Sequence, residues 1–90
     1  MTKFFTEMNL KPSEEKAEEM HYKRTAETEK FKGNEYMSSK EYMLAIDAYT
    51  SSVELDGTVA AVFSNRALAY LNVKDYERAL DDADECLLLD

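Results

Sequence analysis

Two helix–turn–helix units in tandem, an all-α fold with an extended first helix, is the architecture this sequence predicts. Three observations carry that reading. First, sliding residues 26–56 by 34 positions lays them on residues 60–90 with eight identities in 31 pairs: Ala26/Ala60, Tyr36/Tyr70, Lys40/Lys74, Tyr42/Tyr76, Ala45/Ala79, Asp47/Asp81, Leu55/Leu89 and Asp56/Asp90. Conservative pairs such as Ile46/Leu80, Lys32/Arg66 and Gly33/Ala67 lie between them. A repeat of this length is one supersecondary unit that buries its apolar face on a neighbour. Second, the apolar residues recur at spacings of three and four, the mark of a helix with one buried side. Third, two glycines and one proline in 90 residues leave few of the turns that a β-protein needs, and no apolar–polar alternation appears.

The elements follow in order. Residues 1–25 read as a tail and a helical extension. Pro12 interrupts whatever precedes it, Ser13 can cap, and Glu14 and Glu15 suit a helix N-terminus. From there to Lys32 no glycine or proline intervenes, so one long helix is expected over residues 14–38. Residues 26–59 are the first repeat. Its second helix, residues 42–55, sets Tyr42, Ala45, Ile46, Tyr49 and Val53 on one stripe and stops at Asp56-Gly57. Residues 60–90 are the second repeat, with an alanine-rich first helix at 60–72. Its second helix, residues 76–89, carries Tyr76, Ala79, Leu80, Ala83 and Leu87. Ser39-Lys40 and Lys74-Asp75 mark the turn inside each hairpin.

Composition narrows the function. The net charge is −8: residues 1–25 balance to zero, and residues 26–59 and 60–90 each carry seven acids against three bases. A surface that coats nucleic acid or anionic lipid needs the opposite sign, so neither is expected as a partner. One cysteine forms no internal disulfide, which points to a reducing compartment, the cytosol. No stretch is long and apolar enough for a membrane span, and MTKFFTEMNL has no secretory h-region.

The segments KFKGNEYMSSKEYMLAIDAYTSSVELD and VFSNRALAYLNVKDYERALDDADECLLLD resemble two tetratricopeptide repeats. The Lys-x-Lys-Gly-Asn opening and the Ser-Asn-Arg-Ala segment are similar to the class that binds heat-shock chaperones. Gly33, Tyr36, Ala45, Tyr49 and Ser52 match the small and aromatic signature of the first repeat. Phe63, Ala67, Tyr70 and Ala79 match it in the second. Glu29 and Lys32 stand where large apolar residues are usual, Gly57 stands for a proline, and Arg66 and Ala83 also depart from the pattern.

The resemblance implies a site. In that class the inner helices grip the terminal carboxylates of a chaperone tail with lysine and asparagine side chains. Lysine supplies a long-reach cation, and asparagine amides donate directional bonds without adding repulsion. Lys30 and Asn34 have the i, i+4 spacing that places them on one helix face. Asn65 follows 31 residues beyond Asn34 and is read as the matching place in the first helix of the second repeat. These three fill the clamp positions these repeats contain; two further cations belong to a third repeat in the family. Met37, Leu68 and Leu71 are the candidates for apolar subsites. The implied partner is the acidic C-terminal tail of the seventy- or ninety-kilodalton heat-shock chaperones. Ordinary repeat packing is the competing account of Asn34 and Asn65.

Nothing suggests catalysis, a metal or a cofactor. His21 reads as solvated, Cys86 as a buried inert thiol, and Asp81, Asp82, Asp84 and Glu85 as a solvated helix face. The six tyrosines fall at packing positions. Two other readings stay open. One is a scaffold module without a chaperone tail, slightly favoured by the acid Glu29 beside Lys30. The other is the regulatory domain of an enzyme. The apolar ending Cys86-Leu87-Leu88-Leu89 adds an expectation of self-association through the last helix, or through the long first helix acting as a cap.

Overall fold

The computed structural model describes residues 24–90. It holds four antiparallel-paired helices: α1 (Ala26–Ser38), α2 (Tyr42–Leu55), α3 (Ala60–Asn72) and α4 (Tyr76–Leu89). No strand occurs among the described residues. α1 packs on α2, α3 packs on α4, and α3 joins the two hairpins by lying across α2. The 34-residue period is therefore a true spatial repeat, and the all-α reading stands.

The extended first helix needs correction. α1 begins at Ala26. Thr25 lies in extended conformation (φ −112°, ψ 159°) and its hydroxyl accepts the Thr28 N–H at 3.0 Å. That cap satisfies one of the four amide groups a helix start leaves open, so the chain leaves helical geometry here without glycine or proline. Arg24 then turns back and donates to Glu29 across the first turn at 3.2 Å. The rest of the expected extension, residues 14–23, and His21 lie outside the described residues.

The two hairpin turns are copies of each other. Lys40 (φ 62°) and Lys74 (φ 66°), 34 residues apart, both sit in the left-handed region. In the first turn the Lys40 N–H reaches Met37 C=O (3.0 Å) and the Glu41 N–H reaches Tyr36 C=O (2.8 Å). In the second, the Lys74 N–H reaches Leu71 C=O (3.0 Å) and the Asp75 N–H reaches Tyr70 C=O (2.9 Å). Both are the paired 5→2 and 6→1 bonds of a Schellman cap, whose left-handed residue is usually glycine. α2 ends differently. Asp56 turns extended, and its carboxylate accepts both the backbone N–H (3.0 Å) and the hydroxyl (2.6 Å) of Thr58. Gly57 has no positive φ, so Asp56 rather than the glycine supplies the stop.

The core runs through α2 and α3: Ala45, Ile46, Tyr49, Val62 and Ala69, with Tyr36, Met37, Val53, Val59, Tyr70 and Val73 packed around it. Gly33 lies against the Tyr49 ring so closely that a Cβ there would stand 2.6–2.8 Å from ring carbons. Close approach, and not backbone freedom, explains that glycine. Ser52 is fully buried, and its hydroxyl ties α2 to the Ala26 carbonyl at 2.7 Å.

The departures from the repeat pattern are ion pairs. Glu29, only 3% exposed, meets Arg24 at 3.2 Å and Lys32 at 3.8 Å. Arg66 forms a two-pronged pair with Asp82, both bonds 2.8 Å, donates to Thr50 at 3.2 Å, and sits over the rings of Phe63 and Tyr70. Asp82 is 4% exposed. It therefore leaves the solvated acidic face to which the sequence reading assigned it. The bidentate geometry is what makes burial of such a pair tolerable. Cys86 is half-buried rather than buried.

Candidate functional site

α1 and α3 run beside each other on the inner side of the two hairpins, and each presents an asparagine toward the other. Asn65 donates from Nδ2 to Asn34 Oδ1 at 3.2 Å. Tyr49, from α2 behind them, donates its hydroxyl to the same oxygen at 2.5 Å. Asn34 Oδ1 thus accepts two bonds, and its amide NH2 has no hydrogen-bond partner among the described residues. With the oxygen fixed by two donors, the amide orientation is settled by the network.

The 34-residue counterpart of Asn34 is Leu68, and that of Asn65 is Phe31. The two asparagines are one helical turn out of register between repeats. They nevertheless meet, at 3.2 Å.

Burial pushes the Tyr49 phenol up, with a bond to Asn65 pulling in the opposite direction. The hydroxyl therefore stays protonated, and stays a donor, at any physiological pH. Tyr49 is the site residue that sequence reasoning missed: it was read as packing alone. The signal was available in its identity, since a fully buried tyrosine needs a partner for its hydroxyl where a phenylalanine would not.

Lys30 lies one turn before Asn34 on the same face of α1, half-buried. Its ammonium stands 5.1 Å from the centroid of the Phe31 ring. It also borders a cavity of about 200 Å³ with Glu27, Asp56, Val59 and Val62. Glu29, the acid read as weakening this lysine, points elsewhere: its carboxylate is held by Arg24 and Lys32.

Of the apolar candidates, Leu68 is 52% exposed, one turn beyond Asn65. Met37 packs on the core one turn after Asn34. Leu71 is 47% exposed but lies six residues from Asn65, about a third of a turn around α3. It follows Ser64 and Ala67 along α3. The structure brings Asn34 and Asn65 into contact, with Lys30 and Met37 one turn to either side of Asn34 on α1.

One ammonium on α1 and two amides joined across α1 and α3 make up the set, with neither a general base nor a nucleophile among them. Such a set donates hydrogen bonds to an anion with several oxygens. Among the described residues no three histidine, cysteine or acidic side chains converge as metal ligands, and no helix is long and apolar enough to cross a membrane.

Comparison with known proteins agrees with the fold. The chain is 42% identical over 65 residues to stress-induced-phosphoprotein 1 of Caenorhabditis elegans, which covers 72% of this chain and 20% of that protein. It is 38% identical over 68 residues to small glutamine-rich tetratricopeptide repeat-containing protein 2 of Saccharomyces cerevisiae, covering 76% and 20%. The chain belongs to the tetratricopeptide repeats.

A third similarity, 39% over 85 residues to rat serine/threonine-protein phosphatase 5, takes in 94% of this chain and 17% of that one. No protein-family model matches. The tetratricopeptide repeats here are of the class carried by these proteins, and the chain spans about a fifth of their length. In tetratricopeptide terms, Gly33 and Tyr49 set the intra-repeat contact, and the Asn34–Asn65 bond spans the inter-repeat contact.

Proposed function

We propose that this tetratricopeptide module is a co-chaperone adaptor that holds the acidic C-terminal tail of a seventy- or ninety-kilodalton heat-shock chaperone. Lys30, Asn34 and Asn65 grip the terminal carboxylates, and Met37 and Leu68 line the apolar wall beside them. The observation that carries this reading is the Asn65–Asn34 bond with Lys30 one turn away. With its oxygen occupied, the Asn34 amide NH2 has no partner among the described residues. The similarity to stress-induced-phosphoprotein 1 supports the same partner class. The module acts by binding, not by catalysis, and its single free thiol suits the cytosol.

Removing one charge-assisted bond costs about 1.5–3 kcal/mol, or roughly ten- to a hundredfold in affinity. Titration with a tail peptide ending in a free carboxylate, beside its amidated counterpart, tests the proposal. Binding should require the free carboxylate, weaken with salt, and fall in Lys30→Ala and Asn65→Ala. Equal binding of the amidated peptide would refute it. A second reading, the regulatory domain of an enzyme, draws on the match to serine/threonine-protein phosphatase 5 over 94% of this chain. A parent protein with a catalytic domain whose activity rises on addition of tail peptide would select it.

A further inference from the structure

An asparagine pair on its own has no preferred polarity. A carboxamide carries oxygen at one end and NH2 at the other, and a half-turn about its last bond exchanges them. An Asn65 N–H donating to Asn34 Oδ1 and an Asn34 N–H donating to Asn65 Oδ1 are equivalent bonds. In the first arrangement Asn34 keeps its NH2 for a ligand, and in the second it keeps its oxygen. Only the first can hold a carboxylate, because the second sets oxygen against oxygen.

Tyr49 removes that degeneracy. Its hydroxyl stands 2.5 Å from Asn34 Oδ1, at the short end of the O–H···O range and below the N–H···O range. The Asn34 atom that meets the phenol is therefore the oxygen, and the NH2 is left without a partner among the described residues. The ring is 1% exposed and passes over Gly33, where a Cβ would stand 2.6 and 2.8 Å from its carbons. The bare backbone at Gly33 is what lets the phenol come close enough to bond the very next residue. Both asparagines stay half-buried, so neither is sealed from a ligand.

The second repeat supports the link between these residues. The counterparts of Gly33, Asn34 and Tyr49 are Ala67, Leu68 and Ala83. Where alanine stands for the tyrosine, leucine stands for the asparagine, and no amide needs orienting.

We infer that Tyr49 is a positioning residue for the clamp: its hydroxyl fixes Asn34 as a hydrogen-bond donor and so makes the site select a free carboxylate over a carboxamide. The inference rests on the clamp reading, and Tyr49 acts through Asn34 rather than by touching the ligand.

The test uses the 90-residue chain and a labelled acidic peptide ending in aspartate, as free acid and as amide, followed by fluorescence anisotropy beside thermal melts. Tyr49→Phe should weaken the free acid about two- to fivefold, the effect of letting Asn34 populate both orientations. Its preference over the amide should shrink by the same factor. In an Asn34→Ala background the same substitution should leave binding unchanged. Asn34→Asp reads the polarity without a ligand. A carboxylate only accepts, so Tyr49→Phe should lower Tm further in that background than in the parent. The inference is overturned if Tyr49→Phe leaves the free acid's affinity intact while the parent still rejects the amide. It is overturned equally by the same loss in the Asn34→Ala background, or by a smaller fall in Tm in the Asn34→Asp background. A parent that binds acid and amide alike overturns instead the clamp reading beneath it.

Discussion

Replacing Gly33 by alanine sets two effects of opposite sign against each other. Helix propensity alone favours alanine over glycine in a helix interior by about 1 kcal/mol. Tertiary packing opposes it, since the new Cβ would lie 2.6 and 2.8 Å from Tyr49 ring carbons, where ordinary carbon–carbon contact is about 3.5–4 Å. The ring has nowhere to go: it is 1% exposed and its hydroxyl is tied to Asn34. Overpacking of this kind costs about 1–3 kcal/mol, and a broken Tyr49–Asn34 bond adds about 1. The net expectation for Gly33→Ala is a loss of about 1–3 kcal/mol, or about 4–24 °C in Tm for a domain this small. The second repeat provides the control. Its equivalent pair is Ala67 and Ala83, where alanine replaces the tyrosine and the extra Cβ is accommodated; Ala67→Gly should cost about 0.5–1 kcal/mol from propensity alone. Urea unfolding followed by circular dichroism measures both. Gly33→Ala as stable as the parent, or more stable, would show that the Tyr49 ring yields freely and that the close contact does not fix Asn34.

Three other consequences can be checked on the same chain. Lys40→Gly and Lys74→Gly relieve left-handed strain of about 1–2 kcal/mol per residue while adding chain entropy to the unfolded state, so each should stabilise by about 0.5–1 kcal/mol in urea melts. Arg66→Ala strands the Asp82 carboxylate and should cost about 3–5 kcal/mol, whereas the double change Arg66→Met with Asp82→Leu should recover most of it; a double-mutant cycle reads the coupling. Stability should decline at both ends of the pH range. Hydrogen bonds from Thr58 hold Asp56 low and those from Arg78 hold Asp75 low, so their contribution is present above the ordinary carboxylate range and is lost as pH falls through the depressed native values. Tyr49 is raised from its ordinary 10.0, so its contribution is complete below that value and is lost as pH climbs past it. Tyr49→Phe should flatten the alkaline limb of a Tm-versus-pH curve.

Several parts of the fold were legible because they depend on short-range order. The 34-residue period, the three-and-four spacing in α2 and α4, and the turns at Lys40 and Lys74 are properties of residues close in sequence. The start of α1 was misplaced for a local reason too: Thr25 was not weighed as a cap, and only glycine and proline were allowed to end a helix. Glu29 and Asp82 failed differently. Each is an acid whose spacing puts it on a helix, and pattern alone treats an acid as solvated. Their partners Arg24 and Arg66 lie five and sixteen residues away.

By itself, the sequence determined the helices, their number among the described residues and their pairing into hairpins, and it offered Lys30, Asn34 and Asn65 as candidate donors. Periodicity and side-chain chemistry are carried along the chain, so a one-dimensional reading recovers them. Only the tertiary structure decided that Asn34 and Asn65 touch and that the Tyr49 hydroxyl fixes the amide between them. Those facts depend on how α3 packs on the first hairpin, and packing is a property of shapes that meet only after the chain has folded.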